Sequence, residues 1–355
     1  MRAQDFNFLK ELVEAPSPSG YEQPAAGIVR KRVEKVADEV HTDVLGSVTA
    51  KLKGTSEGAP SIMLAGHIDE VGMIVHYIND EGYLSIKPVG GIDAAVLPGM
   101  RVDVHTADGI LRGVIGRKPI HLIDEDERKT VTKLDKLFVD VGLTAEDVKE
   151  RIAIGDVITY GVGMEKFGDG LVVSRALDDK MGAWIVVRVL EEVKKAGRSA
   201  SDLYIVGTTM EEIGGRGAKA STFGVDPDIG IAIDVTHATD YPSIEKSTHG
   251  HFKIGSGPII ARGPNINPIL FTRLIDAAKS ANIDYSVQAE PRGTGTDANS
   301  MQLVRSGKIT GLLSIPLRYM HTPSEVLALN DLDDAVKLLT HFVLGLTADI
   351  DFTPR

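Results

Sequence analysis

Leu203 to Gly217 reads Leu-Tyr-Ile-Val-Gly-Thr-Thr-Met-Glu-Glu-Ile-Gly-Gly-Arg-Gly, an apolar run of strand length that ends on two adjacent acids and a glycine cluster. Such a run is typical of a buried parallel strand, and ligands bind at the carboxyl ends of these strands. Glu211 and Glu212 occupy that end. On an extended segment they point to opposite sides, so one can hold a metal while the other faces a metal-bound water. Taken alone, the pair also fits a solvated acidic loop.

Strand and helix alternate on both sides of this stretch. Four more apolar runs have strand length, and segments between them have the period of helices. The predicted strands are Ser61–Gly66, Leu171–Val173, Ile229–Asp234 and Ile309–Ile315, and the predicted helices include Met181–Lys195, Pro268–Ala281 and Leu332–Leu346. This pattern predicts an α/β fold in which a mixed sheet lies between helices.

From about Val71 to Gly163 the pattern changes to short alternating segments with many turns. Several short strands at regular spacing indicate a small β-barrel or sandwich. We therefore predict a discontinuous catalytic domain, residues 1–70 and 164–355, and an inserted, PDZ-like β-barrel domain, residues 71–163. Within the insert, the charge-rich segment Ile123–Lys136 is interpreted as a mobile surface loop.

Composition limits the class of protein. A chain of 355 residues that is 43% hydrophobic can bury a large core, and two domains are expected. No apolar window approaches the roughly 20 residues that a membrane-spanning helix needs, and the start lacks a signal-peptide pattern, so a cytoplasmic location is expected. The net charge of −11 argues against nucleic-acid and membrane partners, because both require clustered Lys and Arg.

Residues of the metal-ligand type follow four of the predicted strands. The chain has no cysteine, so any metal must be held by His, Asp or Glu. A single His near a strand end is more often structural, and an Asp before a helix is commonly an N-cap. Their common position at one sheet edge favours a site for zinc, cobalt or manganese instead. The candidates are His67, Asp69, Asp178, Glu211, Glu212, Asp234 and His321.

Six motifs, five of them at these positions, resemble those of one family. They are Gly66-His67-Ile68-Asp69, Ala176-Leu177-Asp178-Asp179-Lys180, Met210-Glu211-Glu212-Ile213-Gly214, Ile233-Asp234-Val235-Thr236, Gly295-Thr296-Asp297-Ala298 and Arg318-Tyr319-Met320-His321-Thr322. With them the chain resembles, end to end, the tetrahedral aminopeptidases, which are cytoplasmic dinuclear-metal exopeptidases. The resemblance implies a zinc-exopeptidase-like fold and removal of N-terminal residues from short peptides.

The resemblance also implies a role for each candidate. Glu211 is the expected general base, and Asp179 supports its neighbour. Asp69 lies two residues beyond His67 on the same side of an extended chain, where it would fix the tautomer of the imidazole. Two divalent ions, zinc with cobalt or manganese as alternatives, are bound by five residues: His67 and Asp234 on one ion, Glu212 and His321 on the other, and Asp178 on both.

Other hydrolases remain possible on these residues, namely a deacylase or a carboxypeptidase-like enzyme, and so does a non-catalytic peptide-binding shell. Glu211, which has no ligand role, argues against the shell. Arg292 precedes a turn that the resemblance places at the pocket rim, so it is predicted to favour an acidic first residue of the substrate. His249 and His251 match no ligand position and are interpreted as surface or interface residues.

Assembly is predicted from the insert. Every assigned ligand lies outside residues 71–163, so catalysis gives no evident reason for the insert. A small β module can provide self-complementary surfaces for a symmetric oligomer. In the tetrahedral aminopeptidases such a domain builds dimers that join into a hollow shell of twelve subunits. The same homododecamer is expected here, with Ile123–Lys136 facing the interior or a neighbouring site.

Overall fold

A computed structural model describes residues 1–354. Its helices are α1 (Ala3–Glu14), α2 (Gln23–Val33), α3 (Glu125–Arg128), α4 (Ala145–Arg151), α5 (Leu177–Lys195), α6 (Arg216–Val225), α7 (Lys246–His249), α8 (Pro268–Ser280), α9 (Asp297–Gln302) and α10 (Leu329–Leu344). Of these described helices, none has the length and apolar character needed to cross a membrane.

The strands divide between a large sheet, a small sheet and a barrel. They are β1 (Glu39–Thr42), β2 (Val48–Leu52), β3 (Ile62–His67), β4 (Gly72–Ile78), β5 (Leu84–Val89), β6 (Arg101–Thr106), β7 (Gly109–Gly116), β8 (Phe138–Asp140), β9 (Val157–Tyr160), β10 (Glu165–Lys166), β11 (Leu171–Ser174), β12 (Leu203–Thr208), β13 (Ile229–His237), β14 (Ile259–Arg262), β15 (Ser286–Ala289), β16 (Ile309–Leu317) and β17 (Glu325–Ala328).

The large sheet has eight strands in the order β1-β2-β12-β3-β13-β16-β14-β15. Its four middle strands, β12, β3, β13 and β16, are parallel, whereas β2 and β14 pair with them antiparallel. β3 is buried along its whole length, and β13 is buried at every position but the last. Such burial is expected where helices cover both faces of parallel strands. The predicted α/β fold with a mixed sheet is therefore confirmed.

Helix α5 crosses the middle of this sheet and is buried along most of its length. Trp184 on this helix is 1% exposed. The helix and β3 approach so closely that a Cβ on Gly66 would lie 2.3 Å from the carbonyl carbon of Gly182. These two glycines bring together the elements that carry His67 and Asp178.

Six strands close into a barrel in the order β4-β5-β8-β7-β6-β9, and every neighbouring pair is antiparallel. Its apolar core is separate from that of the large sheet and is formed by inward side chains that include Met73, Val75, Leu84, Val102, Val104, Ile115, Val139 and Ile158. The predicted inserted β-barrel is confirmed. The boundaries at residues 71 and 163 stay a prediction, as does the PDZ-like character.

One predicted strand lies outside the large sheet. Leu171–Val173 falls in β11, which pairs with β10 and β17 in a three-stranded sheet. Only alternate residues of β11 are buried: Val172 lies in the main core, whereas the half-buried Leu171 and Val173 pack on a small cluster with Ala238 and Val326. The predicted strand is confirmed, and it is followed by α5 and β12 as the predicted alternation requires, although it belongs to the small sheet. The segment Ile123–Lys136 contains α3 and a turn of 3-10 helix, Leu134–Lys136, and its mobility stays a prediction.

Candidate active site

The middle strands of the large sheet end around one cavity of about 240 Å³. His67 is the last residue of β3, and Asp234 lies on β13 beyond Ala232, where the pairing of these two strands stops. The other predicted ligands and the predicted base lie near element ends and line the same cavity: Asp178 at the start of α5, Glu211 and Glu212 after β12, and His321 after β16. The topology therefore brings these six residues together.

Their side chains form two groups that share one member. Ligand atoms of His67, Asp178 and Asp234 all lie within 4.8 Å of one another, and so do those of Asp178, Glu212 and His321. One oxygen of Asp178, Oδ1, lies 3.2 Å from Nε2 of His67. Its other oxygen, Oδ2, lies 3.2 Å from Nε2 of His321. Asp178 thus presents one carboxylate oxygen to each group.

The distances fit metal coordination. Two ligands at 2.0–2.2 Å from one tetrahedral cation lie roughly 3.3–3.6 Å apart. The Nε2 atom of His321 lies 3.3 Å from Oε1 of Glu212, close to that separation. Nitrogen and carboxylate oxygen donors are those that zinc, cobalt and manganese accept. The residues present therefore fit a pair of divalent cations.

The charges in the cavity also favour a site for divalent cations. Burial raises the pKa of Glu211 to about 9, against the opposing charge of His67. Burial also raises the pKa of Asp234 well above its usual range, and the carboxylate of Asp178 adds to this rise. Although burial opposes it, hydrogen bonds to Asp178 and Glu212 raise the pKa of His321 to about 11. In the chain alone, protons supply positive charge that the cluster needs, and divalent cations can replace them.

Asp69 holds both His67 and the loop after β12. Nδ1 of His67 lies 3.1 Å from the backbone oxygen of Asp69 and 3.4 Å from its Oδ1. A carbonyl oxygen can only accept, so Nδ1 carries the proton and Nε2 is left for the metal. The backbone N–H groups of Glu211 and Glu212 donate to the two carboxylate oxygens of Asp69, at 3.0 Å and 3.1 Å. The role predicted for Asp69 in fixing the imidazole tautomer fits this geometry. Asp69 also fixes the backbone of the loop after β12.

Glu325, which sequence reasoning missed, ties two predicted ligands together. It is 2% exposed and lies at the start of β17. Its Oε2 accepts from the N–H groups of Leu177 and Asp178, at 2.8 Å and 3.2 Å, and its Oε1 accepts from the N–H of His321 at 2.8 Å. One buried carboxylate therefore fixes the backbone at both positions. An isolated acid after a turn gives no signal of this role in the sequence.

Two further contacts orient the ligands. Nδ1 of His321 donates to the carbonyl oxygen of Gly91, 2.8 Å away, which again leaves Nε2 free. Gly91 follows β5 and belongs to the chain segment of the barrel. The N–H of His67 donates to Oδ2 of Asp179 at 3.1 Å, and the Asp178–Asp179 peptide bond is cis. Asp179 is fully buried, and its contact fits the supporting role predicted for it.

The remaining predicted residues lie outside the cluster. Arg292 is exposed and is not among the residues that line the cavity, although the turn after it contributes Thr294 and Gly295. Its role in choosing the substrate stays a prediction. His249 and His251 are exposed and do not line the cavity, as expected for residues without a ligand role.

A family model described as M42 glutamyl aminopeptidase matches residues 46–338. The chain belongs to the M42 glutamyl aminopeptidase family. The resemblance to the tetrahedral aminopeptidases is confirmed, and membership of the M42 family identifies the chain as a metal-dependent aminopeptidase.

Similar proteins extend over nearly the whole chain. The lysyl aminopeptidase of Pyrococcus furiosus is 36% identical over 354 residues, 99% of each chain. A TET aminopeptidase from the marine sediment archaeon Thaumarchaeota archaeon SCGC AB-539-E09 has a TM-score of 0.92 at 34% identity, covering 97% of this chain and 96% of its own. The Pyrococcus horikoshii TET1 peptidase, which can assemble into a tetrahedron or a large octahedral shell, has a TM-score of 0.85 at 29% identity, covering 96% and 100%.

Proposed function

We propose that this chain removes the N-terminal residue from short peptides and uses two divalent cations, zinc or alternatively cobalt or manganese. His67 and Asp234 would hold one cation, Glu212 and His321 would hold the other, and Asp178 would contact both. The observation that carries the proposal is the position of Asp178, whose two oxygens each lie 3.2 Å from a different imidazole. A carboxylate that bridges two cations requires this arrangement.

Glu211 is the general base in this proposal. When bound, the cations supply Lewis acidity that activates a water and polarises the peptide carbonyl. The Glu211 carboxylate lines the cavity but belongs to neither ligand group of the described residues. It accepts a proton from the attacking water and passes it to the amide nitrogen of the leaving peptide. Nearby cations oppose the effect of burial on its pKa, which keeps this carboxylate ionised at neutral pH.

The function is tested with one short peptide in three forms: free at both ends, N-acetylated, and C-amidated. An aminopeptidase cleaves the free and amidated peptides and leaves the acetylated one intact, because it needs a free amine. A carboxypeptidase-like enzyme spares only the amidated peptide, and a deacylase releases acetate. The first pattern is expected.

Metal removal tests the chemistry independently. Chelation should abolish turnover, and zinc or cobalt should restore it, because the chain has no cysteine to act as an alternative nucleophile. Manganese is tested in parallel. Full turnover by a sample that elemental analysis shows to be free of metal would contradict the proposal.

Self-association into dimers and a tetrahedral homododecamer is part of the proposal. The support is the likeness to the TET1 peptidase, which can assemble into a tetrahedron. The barrel also exposes apolar side chains, with Tyr77 54%, Ile110 61% and Val114 45% exposed. Ile110 and Val114 lie four residues apart on β7 and therefore on the same face of the strand, where they are available to a protein interface. The barrel is the proposed dimerisation domain, whereas the position of Ile123–Lys136 in the shell and the cytoplasmic location stay predictions.

A further inference from the structure

Glu290 places a carboxylate in the cavity that has no role in the proposed metal pair. It follows β15, and its N–H donates to the carbonyl oxygen of Arg262 at 2.9 Å, so the pairing of β14 and β15 fixes its position. Gln288 lines the same cavity, and its Nε2 donates to Oε1 of Glu290 at 2.6 Å. Residues two apart on a strand share a face. The half-buried carboxylate is thus held toward the cavity by a neutral partner.

No lysine or arginine of the lining offsets this charge. Among residues 1–354, those that line the cavity include neither Lys nor Arg. Arg262 lies over the ring of Phe271, 5.2 Å from its centroid, and Arg292 is exposed. Four other carboxylates line the cavity: Asp178, Glu211, Glu212 and Asp234. Two divalent cations would balance their four negative charges, which leaves the charge of Glu290 uncompensated.

Apolar side chains also line the cavity. Val235, Leu312 and Met320 line it together with Glu290. Apolar side chains beside a carboxylate suit a side chain with a methylene stem and a cationic end. A buried or half-buried carboxylate binds such an end through a charge-assisted hydrogen bond.

We propose that Glu290 makes the cavity select peptides whose first residue is basic, Lys or Arg. This inference rests on the proposed aminopeptidase function and names its substrate class. It opposes the selection of acidic residues predicted for Arg292, because Glu290 lines the cavity and Arg292 does not.

The test compares substrates that differ in one charge. Lysyl and norleucyl fluorogenic amides share the same methylene chain, and only lysine carries the ammonium group. The wild-type protein should cleave the lysyl amide with the higher kcat/KM. Glu290→Gln should lower the ratio of lysyl to norleucyl kcat/KM about 10- to 100-fold, as expected for a lost charge-assisted bond. The norleucyl value should stay within about threefold.

Glu150→Gln is the matched control, since it makes the same change at an exposed carboxylate that does not line the cavity, and it should leave the ratio unchanged. Equal losses for both amides in Glu290→Gln would overturn the proposal and show that Glu290 binds the α-amine of every substrate. An unchanged ratio in Glu290→Gln would also overturn it, and a changed ratio of glutamyl to leucyl cleavage in Arg292→Ala would favour the opposite specificity.

Binding without turnover separates this inference from the proposed function. Metal-loaded Glu211→Gln protein is titrated calorimetrically with a lysyl dipeptide and a norleucyl dipeptide. The lysyl peptide should bind about 10-fold tighter, and adding Glu290→Gln should remove the difference. Equal binding of the two peptides would overturn the proposed selection of basic residues, even if hydrolysis is confirmed. If instead the wild-type chain binds the lysyl peptide selectively but cleaves nothing, only the proposed reaction is overturned.

Discussion

Gly66→Ala tests how β3 and α5 position the proposed ligands. A Cβ at Gly66 would lie 2.3 Å from the carbonyl carbon of Gly182 and 2.4 Å from the nitrogen of Ala183. Ordinary van der Waals contact begins near 3.4 Å. Strand and helix must therefore separate by about 1 Å. Both contacts are with backbone atoms of buried elements, which cannot turn aside as the end of a flexible side chain can.

The loss of stability in Gly66→Ala follows from this geometry. Overpacking a core lowers the free energy of unfolding by about 1–3 kcal/mol. Because the added Cβ would meet backbone atoms alone, the loss for Gly66→Ala should lie at the upper end, near 3 kcal/mol. An unfolding entropy of roughly 2.1 cal/mol/K per residue over 355 residues converts this into a fall in Tm of about 4 °C. The same movement separates His67 on β3 from Asp178 on α5, so the affinity for metal should fall about 10-fold.

Circular dichroism of metal-free protein gives the Tm, because bound metal would itself stabilise the fold, and zinc titration gives the affinity. Gly27→Ala is the matched control. Gly27 is exposed inside α2, and its added Cβ would meet nothing within 4 Å. This control should raise the Tm by about 1 °C or less through helix propensity. If Gly66→Ala melts within about 1 °C of wild type, close packing of β3 on α5 does not limit stability and the reasoning is refuted.

Three further predictions concern the reaction and the assembly. Glu211→Gln should keep both metals by elemental analysis and lose kcat by about 10²–10⁴-fold, because it removes a general base and no ligand. Asp178→Asn should lose metal instead, since it weakens the carboxylate between the two groups; unchanged metal and activity in this variant would reverse the two roles. Light scattering of the intact protein should give a mass near twelve chains of 38.1 kDa, and a fully active monomer would contradict the shell.

The fold was predictable where burial acts on both faces of a strand. β3, β12, β13 and β16 are continuous apolar runs because helices cover the sheet on both sides, and composition alone marks them. In the barrel, one buried face gives the two-residue period, as along the first four residues of β6. β14 and β17 were not predicted. The apolar run in β11 is also a strand, but it lies in the small sheet, where Val172 faces the main core and Leu171 and Val173 pack on a satellite cluster.

The site was predictable as residue types at strand ends, and not as a network of contacts. His67 and Asp234 follow from the strand pattern, whereas the position of Glu325 depends on β17 folding back beside α5 and the turn before His321. Arg292 and Glu290 are two residues apart, and near a strand end the sequence does not tell which side chain enters the cavity. The tertiary structure places Glu290 there.

The insert and the metal site are joined more closely than the sequence indicates. Every predicted ligand lies outside residues 71–163, which gave no catalytic reason for the insert. The segment after β5 nevertheless supplies the carbonyl oxygen of Gly91 that accepts from Nδ1 of His321. Beside it, a Cβ on Gly90, whose φ is +79°, would lie 2.9 Å from Cγ1 of Val71 and 3.3 Å from Cβ of Glu212. One segment of the insert therefore sets the tautomer of one proposed ligand and packs against another, so the barrel helps to build the cavity whatever interface it forms.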